Sequence, residues 1–170
     1  MKNRSIKNTF ELAPGQSLRD VPSLARGFYI LVIDHGWVTP IGKAFRENLD
    51  IFKQRLGKHV LILLSTQEQT KEARAKFRSN KEHEPTLVVT VRHPATWDPK
   101  EDAEEGVKIA LGSLDSPESL PLHLESLADA LNLPEFVAAE KWDVRKRILK
   151  KYLKKVPVVD VLASVAGFFL

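Results

Sequence analysis

Phe28-Tyr29-Ile30-Leu31-Val32-Ile33-Asp34-His35-Gly36-Trp37-Val38-Thr39-Pro40-Ile41 is the stretch whose reading decides the fold. Its first six residues are β-formers without polar alternation, the pattern of a strand buried on both faces in a parallel or mixed sheet between helices. Gly36 then allows a tight turn, and Pro40 suits the first position of a helix. Residues 37–41 therefore sit at a helix N-terminus, where unpaired N–H groups and the helix dipole favour an anion. From Ile41 onward Phe45, Leu49, Phe52 and Leu56 recur at spacings of four and three, one apolar helical face that Gly57 ends.

On the N-terminal side, residues 1–8 read as a polar end. Residues 9–12 read as a short strand before the Pro14-Gly15 turn, and residues 17–26 as a short helix carrying Leu18, Val21 and Leu24. On the C-terminal side, residues 60–64 repeat the buried-strand signature. Residues 70–79 read as a mostly surface helix held by Ala73 and Phe77, and residues 85–91 as a strand opened by a proline. Residues 92–106, acidic and carrying Pro94 and Pro99, suit a solvated loop between antiparallel strands, the second of which is 107–111. Leu120, Leu124, Leu127 and Leu131 mark a closing helix, entered through Ser116-Pro117 and left at Pro134.

Composition bounds the function. A chain of 170 residues with 43% hydrophobic content has enough apolar material for one core and an appendage. With no cysteine, disulfides, thiolate metal sites and thiol catalysis are excluded for this chain. His35, His59, His83, His93 and His123 show no metal-ligand spacing, and the glycines stand singly rather than in a phosphate loop, so no metal and no cofactor is expected. No secretion signal follows Met1, and no apolar window is long enough to span a bilayer, which makes the cytoplasm the expected location.

The order β-α-β-α-β-β-α resembles that of the thioredoxin-like superfamily over residues 9–132, and three local features carry the resemblance. Trp37-Val-Thr-Pro-Ile41 at the strand-to-helix turn looks like the family's Trp-Cys-Gly-Pro-Cys. Glu84-Pro85-Thr86 opens the third of these strands, where the family has a cis-proline, and Gly112 follows the fourth. The resemblance implies an α/β, thioredoxin-like mixed sheet sandwiched by helices. Val38 and Ile41 stand in the cysteine places, and Val32 stands where the family has its buried acid, so the chain is expected to be redox-inactive and not an enzyme. Without the thiols there is no thiolate for the helix N-terminus to stabilise and no second sulfur to resolve a mixed disulfide.

What the resemblance leaves is a groove for extended polypeptide, lined by Trp37, Val38, Thr39, Pro40, Ile41, Glu84 and Pro85, for a protein-binding, chaperone-like or self-associating module. Beside that reading, Ile41 also begins the apolar stripe of its helix, and Glu84 also suits a solvated turn. Asp34-His35 ends the buried strand at the edge where open α/β sheets bind ligands, which makes it a candidate acid/base pair without an accompanying nucleophile.

Residues 133–170 read as an extension. Residues 141–155 hold eight Lys or Arg against Asp143, a local +7 in a chain of net +4, so the rest is acidic overall. At about 100° per residue, Trp142, Val144, Ile148, Leu149, Tyr152, Leu153 and Val156 gather on one side. Lys146, Arg147, Lys150, Lys151 and Lys154 gather on the other, with Arg145 interrupting the apolar face. This basic amphipathic helix docks on the domain, against the acidic loop 98–105, or on a partner chain. The other reading is a surface for nucleic acid or anionic lipid. Residues 157–170, apolar nearly all round, return to the core, insert at an interface or bury in a dimer, and a homo-oligomer formed through the extension is the expected assembly.

Overall fold

The computed structural model describes residues 8–24 and 27–163. Six strands, β1 (Thr9–Glu11), β2 (Phe28–Ile33), β3 (Val60–Leu64), β4 (Thr86–Thr90), β5 (Gly106–Ala110) and β6 (Val158–Asp160), form one sheet in the order β1-β3-β2-β4-β5-β6. β3 runs parallel to both β1 and β2, whereas β4 is antiparallel to β2, β5 to β4 and β6 to β5. The helices are α1 (Pro40–Arg55), α2 (Gln67–Lys76), α3 (Leu120–Leu131), α4 (Pro134–Ala138) and α5 (Trp142–Tyr152). The fold is α/β with a mixed sheet, and from β2 to α3 the elements follow the order β-α-β-α-β-β-α.

All six residues of β2 are buried. Successive side chains of a strand point to opposite faces, so β2 feeds two cores. Phe28, Ile30 and Val32 meet Phe45, Leu49 and Phe52 of α1, Leu124 and Leu127 of α3, and Trp142 and Leu149 of α5. Tyr29, Leu31 and Ile33 meet Leu61, Leu63 and Val88 of the sheet, Ala73 and Phe77 at α2, and Leu12, Leu18, Val21 and Trp97 from loops. At roughly 1.5–3 kcal/mol for each large apolar side chain buried, this one strand contributes on the order of 10 kcal/mol, comparable with the whole net stability of a domain.

Helix starts follow their caps. Thr39 Oγ1 accepts from Gly42 N at 3.0 Å, Pro40 occupies the first turn, and α1 ends after Arg55 with Leu56 as cap. α2 begins at Gln67, three residues before the apolar spacing alone suggests, because Thr66 and Gln69 close a capping box. Of the helix expected over 17–26, the described residues 17–24 form a single 3-10 turn, Leu18–Asp20, and residues 25 and 26 lie outside the described residues. Asp20 accepts from Ser17 N to close that turn, and Val21 is extended, as the residue before a proline is driven to be.

The segment after 132 is not an appendage in its packing. Phe136, Trp142, Leu149, Leu153, Val156 and Val158 belong to the same core cluster as α1 and α3, and β6 adds an edge strand to β5. The apolar stretch after Pro157 thus returns to the core as far as Ala163; residues 164–170 lie outside the described residues. α5 does not pair with the acidic loop. Among the described residues Asp102 bonds instead to Arg92, at 3.4 Å.

Two buried cations shape these layers. Arg145, expected on the basic helix, is only 7% exposed, and its guanidinium lies 4.9 Å from the Phe28 ring centroid and 4.8 Å from that of Trp142. Its Nε donates to Phe136 O at 3.0 Å and Nη2 to Val137 O at 3.3 Å, so the charge faces carbonyls and π-faces rather than solvent. Burial holds its pKa below the ordinary guanidinium value, while Glu105 acts in the opposite direction.

Lys108, at the centre of β5, is 1% exposed and donates to Phe77 O at 3.2 Å and Arg78 O at 3.0 Å, carbonyls just past the end of α2. A cation there meets the negative end of the helix dipole. Burial, and then the Arg78 guanidinium, push the Lys108 pKa down to about 8. Between about pH 8 and 10.5 the folded protein has released this proton while the unfolded chain still holds it, so this group makes stability rise with pH across that window. Denaturant unfolding at pH 7 and pH 9.5 is expected to show a gain for the native chain that Lys108→Met lacks. An identical pH response in the two proteins would contradict it.

Candidate functional site

Where β2 ends, the chain passes through Asp34, His35, Gly36 and Trp37 into α1. Gly36 has φ +96 and Trp37 φ +60, the left-handed region that a bulky side chain rarely adopts. The Asp34 carboxylate holds that turn: Oδ2 accepts from Trp37 N at 2.6 Å, while Oδ1 is buried without a partner among the described residues. Oδ1 lies beside the first turn of α1, near Gly42, where the helix dipole favours negative charge. Trp37 in turn stacks on Phe45, with ring centroids 5.8 Å apart and planes 5° apart.

The turn therefore sends its side chains in different directions. Val38 stands 61% exposed, Pro40 is exposed, and Thr39 is used as the helix cap. Ile41 is 7% exposed and packs into the core with Phe45, so it is a core residue as well as the neighbour of the turn.

Across the sheet edge, the Glu84-Pro85 peptide bond is cis. Glu84 N donates to Lys81 O at 3.3 Å, and Gly112 N donates to Pro85 O at 3.2 Å. A Cβ on Gly112 would stand 2.3 Å from Glu84 O, so the turn after β5 can lie this close only as glycine. The Glu84 N–H and the Pro85 carbonyl are thus engaged within the chain, and both Glu84 and Pro85 are buried. What these residues contribute to the edge is the Glu84 side chain.

That side chain is fully enclosed and bonded on both oxygens. Arg74 Nε donates to Oε1 at 2.8 Å and Nη2 to Oε2 at 3.0 Å, a fork-like pairing, and His35 Nδ1 lies 2.8 Å from Oε2. A carboxylate at this depth costs several kcal/mol to desolvate, and two cationic or donating partners offset that cost. In front of the trio lies a cleft of about 130 Å³ lined by His35, Gln67, Thr70, Lys71, Arg74 and Lys81. A larger groove of about 830 Å³ opens between β1 and the C-terminal half of α1, at the other end of the sheet, beginning at Asn8 where the described residues begin.

Sequence reading finds two members of the trio separately, His35 at the strand end and Glu84 before the proline, but neither as the other's partner. Arg74 is missed because α2 reads as a surface helix whose register is set by Ala73 and Phe77. The signal available was the capping box at Thr66, which fixes the start of α2.

The basic helix is the second candidate surface. Lys146 bonds to Asp160 at 2.8 Å, and Arg145 is inside, so the free basic face reduces to Arg147, Lys150, Lys151 and Lys154, all exposed and none within 4.0 Å of a carboxylate among the described residues. Among the described residues no three His, Asp or Glu side chains are grouped to hold a metal ion, and no helix is long and apolar enough to cross a membrane.

Removing the Glu84 carboxylate leaves Arg74 beside an uncompensated pocket. Glu84→Ala is expected to lower stability by about 3 kcal/mol or more, measured by denaturant unfolding. The exposed Glu82→Ala should change it by less than about 0.5 kcal/mol. A loss at Glu84 no larger than that at Glu82 would show that the trio does not hold this edge together. No protein-family model, curated protein or solved structure significantly matches the chain.

Proposed function

We propose that this chain is a redox-inactive, thioredoxin-like module that works by binding another protein, or a second copy of itself, at the turn between β2 and α1. The observation that carries this reading is Val38: an apolar side chain 61% exposed on a turn held by the Asp34 carboxylate, the Thr39 cap and the Trp37-Phe45 stack. A rigid apolar projection loses little conformational freedom on binding, which favours a partner contact there. The element order from β2 to α3 supports the thioredoxin-like part of the reading. The chain has no cysteine with which to exchange disulfides. Phe136, Trp142, Leu149, Leu153, Val156 and Val158 of the C-terminal segment are packed into the core and are not free for an apolar contact.

The test is amide chemical-shift mapping of the chain against a set of extended peptides and against itself over a range of concentrations. Shifts clustered on residues 37–41 are expected, with at least about a tenfold weakening in Val38→Glu; one such charge in an apolar contact is worth several kcal/mol. Shifts that avoid this turn, or that survive Val38→Glu, would overturn the reading.

A second reading rests on the free basic face of α5, where Arg147, Lys150, Lys151 and Lys154 lie unpaired by carboxylates among the described residues. If this face takes nucleic acid, the log of the affinity for duplex DNA falls with the log of the salt concentration with a slope of about −3 to −4 when four phosphates are contacted. Fluorescence anisotropy is the measurement, and Lys150→Glu with Lys154→Glu should abolish the binding. No binding at low salt would dismiss this reading.

A further inference from the structure

We propose that the cleft between the end of β2 and α2 is a receptor for a phosphate-sized oxyanion, a function separate from protein binding at the Trp37-Val38 turn. The cleft wall is formed by His35, Gln67, Thr70, Lys71, Arg74 and Lys81, with no carboxylate among them. Glu84 lies behind the wall with its side chain fully enclosed and both oxygens committed to Arg74 and His35. Glu68 and Glu72 of α2 are exposed and are not part of the wall.

The charge balance at the cleft is positive. Arg74 and Glu84 offset one another, which leaves Lys71 and Lys81. Both are exposed, and neither has a carboxylate within 4.0 Å among the described residues. They arrive from different elements, Lys71 from α2 and Lys81 from the 3-10 turn Lys81–His83, and converge on one small space. Two cations that line one cleft with no carboxylate in its wall raise its potential for an anion, and this is the feature that points to a ligand. The cleft also lies at the first turn of the ten-residue α2, whose amide end favours negative charge.

The wall is ordered in advance. Glu84 fixes the Arg74 guanidinium through Nε and Nη2 and leaves Nη1 without a hydrogen bond among the described residues. The same carboxylate receives the His35 Nδ1 proton, so Nε2 is the free ring nitrogen. A guanidinium with a free edge and two mobile ammonium groups form a donor set for a tetrahedral anion, with the fixed His35 ring beside them. The volume agrees: about 130 Å³ is roughly four waters at about 30 Å³ each, enough for one phosphoryl group.

The experiment is a side-chain and amide NMR titration of the full chain with inorganic phosphate, exchanged against chloride at constant ionic strength, following Arg74 Nε–H and the amides of residues 35, 67, 71 and 81. Saturable shifts with a low-millimolar or tighter dissociation constant are expected. A parallel titration with glycerol phosphate separates the two sources of this group: the tighter binder tells whether a free phosphate or a phosphomonoester is the natural occupant. Lys71→Ala with Lys81→Ala should weaken binding at least about tenfold, while Lys58→Ala with Lys100→Ala, which removes the same charge from exposed positions elsewhere, should leave it unchanged. Shifts that stay linear with concentration, or an equal loss in both double variants, would overturn the proposal. Val38→Glu should not alter phosphate binding, so failure here and failure of the protein-binding reading are separately visible.

Discussion

The burial of β2 on both faces is the constraint from which the other layers follow. A strand whose six residues are all apolar has no face to give to water, so each side of the sheet needs its own cover. α1, α3 and α5 supply one cover; α2, with the N-terminal loop and the segment around Trp97, supplies the other. Since the middle of the sheet is closed to solvent, ionisable groups can gather only at the strand ends. The end of β2 is where Asp34, His35 and Glu84 meet the first turns of α1 and α2.

The charges that nonetheless lie inside are each matched by a different device. Glu84 is held by a forked Arg74 and by His35, Lys108 by two carbonyls past the end of α2, and Arg145 by two carbonyls and the faces of Phe28 and Trp142. These devices differ in consequence. The Arg145 and Lys108 contacts tie α5 to α4 and β5 to α2, which is structural, whereas the Glu84 contacts orient two side chains that face an open cleft. Buried charge that points inward consolidates a fold, and buried charge that positions donors toward solvent prepares a site.

Much of the architecture could be read from spacing. The apolar run at β2, the stripe of α1 from Ile41 to Leu56 and the leucines of α3 are each set by local periodicity, and the acidic stretch between β4 and β5 is set by its prolines and charges. The readings that failed were those where a proline or a few side-chain contacts outweigh periodicity. Pro22 holds Val21 extended and so stops the first helix after one turn, and Gln69 on Thr66 N moved the start of α2. The helical wheel set Arg145 on the apolar side of α5 but counted its guanidinium as polar, and the ring face of Phe28, from a distant part of the chain, beside that of Trp142 one turn away, makes its burial favourable.

By itself the sequence determined that thiol chemistry is absent, that β2 is a doubly buried strand, and that a helix begins at Pro40 beneath a tryptophan turn, because composition, periodicity and capping are local properties of the chain. Only the tertiary structure decided which way Val38 and Ile41 point, that residues 133–163 complete the core rather than trail from it, and that His35, Arg74 and Glu84 form one cluster. Those three residues are separated by 49 and 10 positions. No local pattern relates them, since their proximity comes from β2 pairing with β4 while α2 packs across the sheet edge.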